Sequence, residues 1–200
     1  MTDAIEFFFD FSSPYAYFAS FGIERIAERF GRPCLWKPIL LGPAFKASGN
    51  QRLIDQPLKG AYAKHDWERM GRMMGVAYRF PQPFPVATIA AARAFWFLNA
   101  QDSVLAKDFA RQVFAAYFAD GQDISDRASV TAIAARLGVD PVHIQAAIEN
   151  PTWKDRCRAE TDDAIRRGVF GAPFFVLDGE SFWGADRLPM VESWLERGGW

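Results

Sequence analysis

The chain has 200 residues and a formal net charge of −1, and half of its residues are hydrophobic. That length fits one domain, or a small domain carrying a large insertion, and the balanced charge gives no electrostatic case for a nucleic-acid partner. No apolar run is long enough to span a bilayer, and the start of the chain lacks the basic segment and apolar stretch of a signal peptide, so the expectation is a soluble cytoplasmic protein without a membrane partner.

The segment from Ile5 to Phe11 is apolar except for Glu6 and Asp10, the pattern of a strand covered on both faces. It runs into Ser13-Pro14, a helix start with Ser as N-cap and Pro at the first helical position, where its missing N–H costs nothing. The spacing predicts a helix from Pro14 to Phe30, stopped by Gly31 and Pro33, and a second strand over Cys34 to Ile39. Strand, helix and strand at this spacing make a βαβ unit with parallel strands.

The pattern then changes. Leu40 to Ser48 reads as a loop or short turn, with Gly42, Pro43 and Gly49 as breakers. No convincing strand occurs between Gln51 and Gly168. Helices are expected over His65 to Met74, Ala87 to Leu98, Leu105 to Phe118, Ser129 to Leu137, Pro141 to Glu149 and Pro151 to Arg167. The alternating prolines between Phe80 and Pro85 force extended geometry. Strand character returns at Pro173 to Leu177, followed by the hairpin signal Asp178-Gly179 and by Ser181 to Trp183. A last helix is expected from Asp186 or Arg187 to Glu196, with Asp186 as N-cap. A βαβ, a helical block and a ββα together predict an α/β, thioredoxin-like fold with a large all-helical insertion. Its first half lies in residues 1–40, the insertion in 41–168 and the second half in 169–200.

Two readings of Ser13 stand side by side. It is a helix cap alone, or its hydroxyl also serves an anion at the positive end of the helix. The 19 Phe and 7 Trp suit a thick core and an apolar slot for a flat ligand. Cys34 and Cys157 lie far apart, form no C-x-x-C, and read as small reduced core residues. His65 and His143 read as helix-surface residues, and no metal site is expected.

The blocks Phe9-Asp10-Phe11-Ser12-Ser13-Pro14-Tyr15, Gly168 to Val176 and Phe182 to Leu188 resemble, in order and over essentially the whole chain, 2-hydroxychromene-2-carboxylate isomerase and the related kappa-class glutathione transferases. That resemblance implies glutathione as cofactor and Ser13 as the catalytic residue that faces its sulfur. Disulfide-forming relatives start the same helix with C-x-x-C. Here the residues are Ser13-Pro14-Tyr15-Ala16, which argues against dithiol exchange. Ala172-Pro173 matches the family's residue before a cis-proline, where the backbone of Ala172 pairs with extended glutathione. Trp183, Gly184, Ala185 and Asp186 match the segment that holds the γ-glutamyl end, with Asp186 suited to its ammonium group.

On the substrate side the resemblance points to Lys46 as a cation for a carboxylate, to Arg52, which with Gln51 lies near an Asn-Arg pair of the isomerase, and to Phe84 as a stacking ring where the isomerase has a Tyr. The implied reaction interconverts 2-hydroxychromene-2-carboxylate and trans-o-hydroxybenzylidenepyruvate, in aromatic catabolism, by reversible thiolate addition. The family's usual state implies a homodimer. A kappa-like transferase that conjugates glutathione to electrophiles shares the same cofactor residues and is the alternative. A non-catalytic glutathione- or peptide-binding module is the alternative of another class.

Overall fold

The structure, a computed structural model, describes residues 4–200. Strand β1 (Ile5–Phe9) leads into helix α1 (Pro14–Arg29) and strand β2 (Cys34–Pro38). Seven helices follow: α2 (Leu41–Ser48), α3 (Lys59–Met74), α4 (Ile89–Asn99), α5 (Ser103–Phe118), α6 (Arg127–Arg136), α7 (Pro141–Glu149) and α8 (Pro151–Arg166). The chain closes with β3 (Phe174–Leu177), β4 (Glu180–Trp183) and α9 (Leu188–Arg197). The sheet order is β2-β1-β3-β4, with β1 parallel to β2 and β3 antiparallel to both of its neighbours.

The alternation of side chains along β1 explains its apolar run. Phe7 and Phe9 face the main core, where Phe7 stacks on Phe175 and meets Trp36 edge-on, and Phe9 meets Phe95 and Phe114. Phe8 faces the other way, against Ile39, Ala164, Val169 and Phe174. Both faces of the strand are therefore dry, and a polar residue is tolerated only where it is paired. Glu6 is such a residue, held by Lys37 at 2.6 Å and by Arg167 at 2.9 Å. The main core runs without a break from the sheet into α4, α5 and α6, so the helical segment and the sheet share one apolar interior.

Short polar side chains start most of the long helices. Ser13, Asp102, Asp126, Asp140 and Asn150 each accept a backbone N–H in the first turn of α1, α5, α6, α7 and α8. Among the described residues no helix is long and apolar enough to cross a membrane.

Three local expectations are corrected. The segment after β2 is the helix α2, not a loop. Pro43 lies in its first turn, where no intrahelical N–H is needed, and Gly49 ends it in the left-handed region, so residues read as breakers are a start and a stop. Helix α3 begins at Lys59 rather than at His65. Its buried stripe is Gly60, Ala63, Trp67 and Gly71, mostly small residues with little apolar signal. Asp186 does not cap the last helix. A 3-10 turn over Ala185–Arg187, closed by the Arg187 N–H on the Gly184 carbonyl at 3.1 Å, uses up those residues, and α9 starts only at Leu188.

Candidate active site at the start of helix α1

The turn from β1 into α1 brings Ser13 to the edge of the sheet. Ser13 is 6 % exposed, and its extended backbone sets it as the N-cap of α1. Its Oγ accepts the Ala16 N–H at 3.2 Å and donates to the Ala172 carbonyl at 3.1 Å. The first amides of a helix have no partner within it. Pro14 has no N–H, Ala16 is capped, and the Tyr15 N–H has no partner among the described residues. One free backbone donor therefore sits beside a hydroxyl at the positive end of α1.

Ala172 and Pro173 face Ser13 across the sheet, and their peptide bond is cis. The Pro173 carbonyl accepts the Gly184 N–H at 3.0 Å, which extends the β3–β4 pairing to the segment after β4. The Ala172 N–H has no partner among the described residues, whereas its carbonyl is engaged by Ser13. Of the two Ala172 groups expected to pair with an extended peptide, the carbonyl is thus already engaged by Ser13.

After β4, Gly184 takes φ 114°, open only to glycine at low cost. A Cβ there would lie 2.4 Å from Asp186 Oδ1, so the carboxylate folds back over a bare backbone. Asp186 is exposed, with Arg187 3.3 Å away. Trp183 is half-exposed and meets Phe170 edge-on at 4.8 Å. A Cβ on Gly171 would come within 2.6 Å of the Trp183 Nε1, so Gly171 is the floor on which that indole lies. The pairing of Gly184 with Pro173 thus brings Ser13, Ala172, Pro173 and the 183–186 segment to one end of the sheet.

The residues expected on the substrate side come from the helical segment. Lys46, in the last turn of α2, is exposed and has no ion pair among the described residues. Arg52 is also exposed, but its Nε lies 2.5 Å from Asp55 Oδ2, so its charge is already partnered. Phe84 is half-buried and packs on Trp67, Phe80 and Tyr117. Trp67 in turn meets the ring of Tyr15, two residues past Ser13, at 5.9 Å. Phe84 and Ser13 are therefore linked through a short aromatic chain. The Tyr15 hydroxyl donates to Asp66 at 2.9 Å and pins α3 to the start of α1; burial and that carboxylate both push the phenol up.

Two further residues belong to this neighbourhood. Asn50 donates from Nδ2 to the Phe170 carbonyl at 3.2 Å, tying the end of α2 to the segment before the cis bond. Asp10, 3 % exposed at the end of β1, accepts four hydrogen bonds. A buried carboxylate at the end of a Phe-rich strand was the available signal for it. Neither cysteine reaches the site. Cys34 and Cys157 are buried free thiols, and burial pushes the Cys157 thiol up to about 11, so both are inert core residues. His65 and His143 are exposed on α3 and α7.

The residues fit an extended thiol peptide. They offer a free amide at Ala172, a backbone cradle at Gly184 that any side chain would fill, a carboxylate at Asp186 and a hydroxyl at a helix start.

Residues 4–196 match the family described as DSBA-like thioredoxin domain. The chain is similar to 2-hydroxychromene-2-carboxylate isomerase of Sphingobium xenophagum, 31 % identical over 199 residues, covering 98 % of this chain and 99 % of that one. It is similar to glutathione S-transferase kappa 2 of Caenorhabditis elegans, 29 % identical, covering 96 % and 91 %. Among solved structures, a 2-hydroxychromene-2-carboxylate isomerase superposes with a TM-score of 0.88 at 27 % identity, covering 97 % and 95 %. The chain belongs to the DSBA-like thioredoxin-domain family, and within it to the group of 2-hydroxychromene-2-carboxylate isomerases and kappa-class glutathione transferases.

Proposed function

We propose that the protein is a glutathione-dependent isomerase that interconverts 2-hydroxychromene-2-carboxylate and trans-o-hydroxybenzylidenepyruvate, acting as a cytoplasmic homodimer in aromatic catabolism. The observation that carries this reading is the pairing of Ser13 with Ala172 at the start of α1, with a hydroxyl where disulfide-forming relatives need sulfur. When bound, glutathione supplies a thiolate whose reversible addition makes the cis double bond of the substrate rotatable.

The protein's own part is to favour that charge and to orient the substrate. The Ser13 hydroxyl keeps Ala16 as donor while turning its proton from the Ala172 carbonyl toward the anion. The Tyr15 N–H and the field of α1 add to it. Ala172 and Gly184 hold the peptide backbone, and Asp186 holds the ammonium group. Lys46 receives the substrate carboxylate, and Phe84 with Trp67 offers a dry aromatic wall. Arg52, already paired with Asp55, takes part only by exchanging that partner for the substrate carboxylate.

The test is calorimetric titration of glutathione, followed by turnover of the chromene carboxylate with and without it. Binding, glutathione-dependent turnover and full recovery of unconjugated glutathione are expected. No binding at millimolar glutathione would overturn the reading. A stable conjugate would move it to the kappa-type transferase, which the Phe at position 84 also favours, because the hydroxyl expected for the chromene substrate is missing. Binding without turnover on any electrophile would leave a glutathione-binding module.

A further inference from the structure

The Asp10 carboxylate lies inside the protein and touches three separate segments. Oδ1 accepts the Ser12 N–H and the Ser12 hydroxyl, both at 2.8 Å, and the Thr88 hydroxyl at 3.1 Å. Oδ2 accepts the Leu41 N–H at 2.9 Å. The Asp10 carbonyl also accepts the Ser13 N–H at 2.9 Å. Ser12 belongs to the turn that carries Ser13. Leu41 is the first residue of α2, which carries Lys46. Thr88 precedes α4 and ends the proline-rich segment that carries Phe84.

All four donors are neutral. A carboxylate at 3 % exposure is held against strong desolvation, which pushes its proton affinity up, by those donors alone. Such an arrangement is a poor way to gain stability, because an apolar residue of similar size avoids the desolvation. An amide cannot replace it. Asparagine has one acceptor oxygen, and whichever way it turns, its NH2 would face a backbone N–H of Ser12 or of Leu41.

We infer that Asp10 is a positioning residue, a buried carboxylate that fixes the Ser13 turn, the start of α2 and the start of α4 to one another, so that the thiol side and the aromatic-substrate side of the site keep a common register. The functional half of this inference rests on the glutathione reading proposed above; the coupling of the three segments does not.

The experiment has an arm for each half. In the ligand-free protein, amide hydrogen exchange is compared for wild type, Asp10→Asn and the milder Thr88→Val. Asp10→Asn should speed exchange roughly tenfold, and together, at Ser12, Ala16, Leu41 and Ala92, while β3 and α5 stay protected. Thr88→Val removes one donor only and keeps the variant series informative if Asp10→Asn does not fold. It should speed exchange at Ala92 and also at Ser12 and Leu41. A response confined to Ala92 would overturn the coupling.

In the glutathione complex, the ultraviolet absorbance of the thiolate is titrated against pH. Asp10→Asn removes a negative charge, which taken alone would lower the midpoint of the thiol. Loss of the Ser13 register raises it. A midpoint about one unit higher supports the inference, and an unchanged or lower midpoint overturns its functional half. Failure of the wild type to bind glutathione would instead count against the proposed function, and the exchange arm would still decide the coupling.

Discussion

The Ser13 hydroxyl and the Ala172 carbonyl lie 3.1 Å apart although 159 residues separate them in the chain. The contact joins the first half of the sheet to the second at the point where the helical segment between them has just returned. It also leaves the hydroxyl donating to a weak, neutral acceptor, a hydrogen bond that it can exchange for one to an anion while keeping its proton.

Ser13→Ala should therefore separate catalysis from binding. Loss of one preorganised donor to a developing charge costs about a hundredfold in turnover, whereas glutathione affinity, which the proposed function assigns to the backbone of Ala172 and to Asp186, should change less than about threefold. The same substitution removes the cap on Ala16 and should cost about 1 kcal/mol of stability. Steady-state kinetics, calorimetry and chemical denaturation on the one variant read all three. Unchanged turnover would leave Ser13 a cap.

The 183–186 segment predicts the opposite split. Asp186→Ala should raise the glutathione dissociation constant about tenfold, the weight of one charge-assisted bond at an exposed position. Gly184→Ala should weaken binding at least as much, because it strains a backbone at φ 114° and drives the Asp186 carboxylate off its seat. Turnover at saturating glutathione should fall little in either variant. Titration calorimetry with kcat measured at several glutathione concentrations checks both.

Much of this arrangement was legible in the chain itself, for physical reasons. The Ile5–Phe9 strand is covered on both faces and so reads as an apolar run interrupted only by the paired Glu6, Ser13-Pro14 is a strong local helix start, and Asp178-Gly179 marks its hairpin. What stayed hidden was non-local or was written in breaker residues. Gly42 and Pro43 disguise α2, and a 3-10 turn displaces Asp186 from the cap position that its residue type favours. Nothing adjacent to Asp10 announces Leu41 and Thr88 as its donors, nor does anything near Asn50 announce the Phe170 carbonyl. A polar residue that interrupts a buried strand end is the trace that such a network leaves in the sequence.

Glu6 gives a pH prediction with a definite sign. Burial by itself would push its carboxyl up, but the hydrogen bonds and charges of Arg167 and Lys37 outweigh that and hold it below the ordinary value of 4.5. A carboxyl lowered in the folded state contributes stability that is present above the unfolded value and is lost as pH falls through the folded one. Glu6→Gln should thus cost about 2 kcal/mol at pH 7, and the gap from wild type should close as both proteins are taken below the 4.5 of a free carboxyl. Urea midpoints across that pH range test it. A gap that stays constant down to the folded-state titration would remove the ion pairs as its cause.

The last prediction concerns the aromatic wall. Phe84 touches Trp67, Phe80 and Tyr117, and Trp67 touches Tyr15, so truncating Phe84 opens space beside Trp67, one ring removed from Tyr15, and leaves the 183–186 segment as it is. Phe84→Ala should raise KM for the aromatic carboxylate about tenfold and leave the glutathione dissociation constant unchanged. Phe84→Tyr keeps the ring contacts and adds a hydroxyl at the half-buried rim. It should raise kcat/KM on the chromene carboxylate, because a correctly placed donor helps only the substrate that can accept from it. Lys46→Ala, tested beside them, should raise the same KM in a salt-dependent way, because an exposed cation acts through a screened field. If Phe84→Ala weakened glutathione and substrate equally, the aromatic chain would be a scaffold for the whole site rather than its substrate wall.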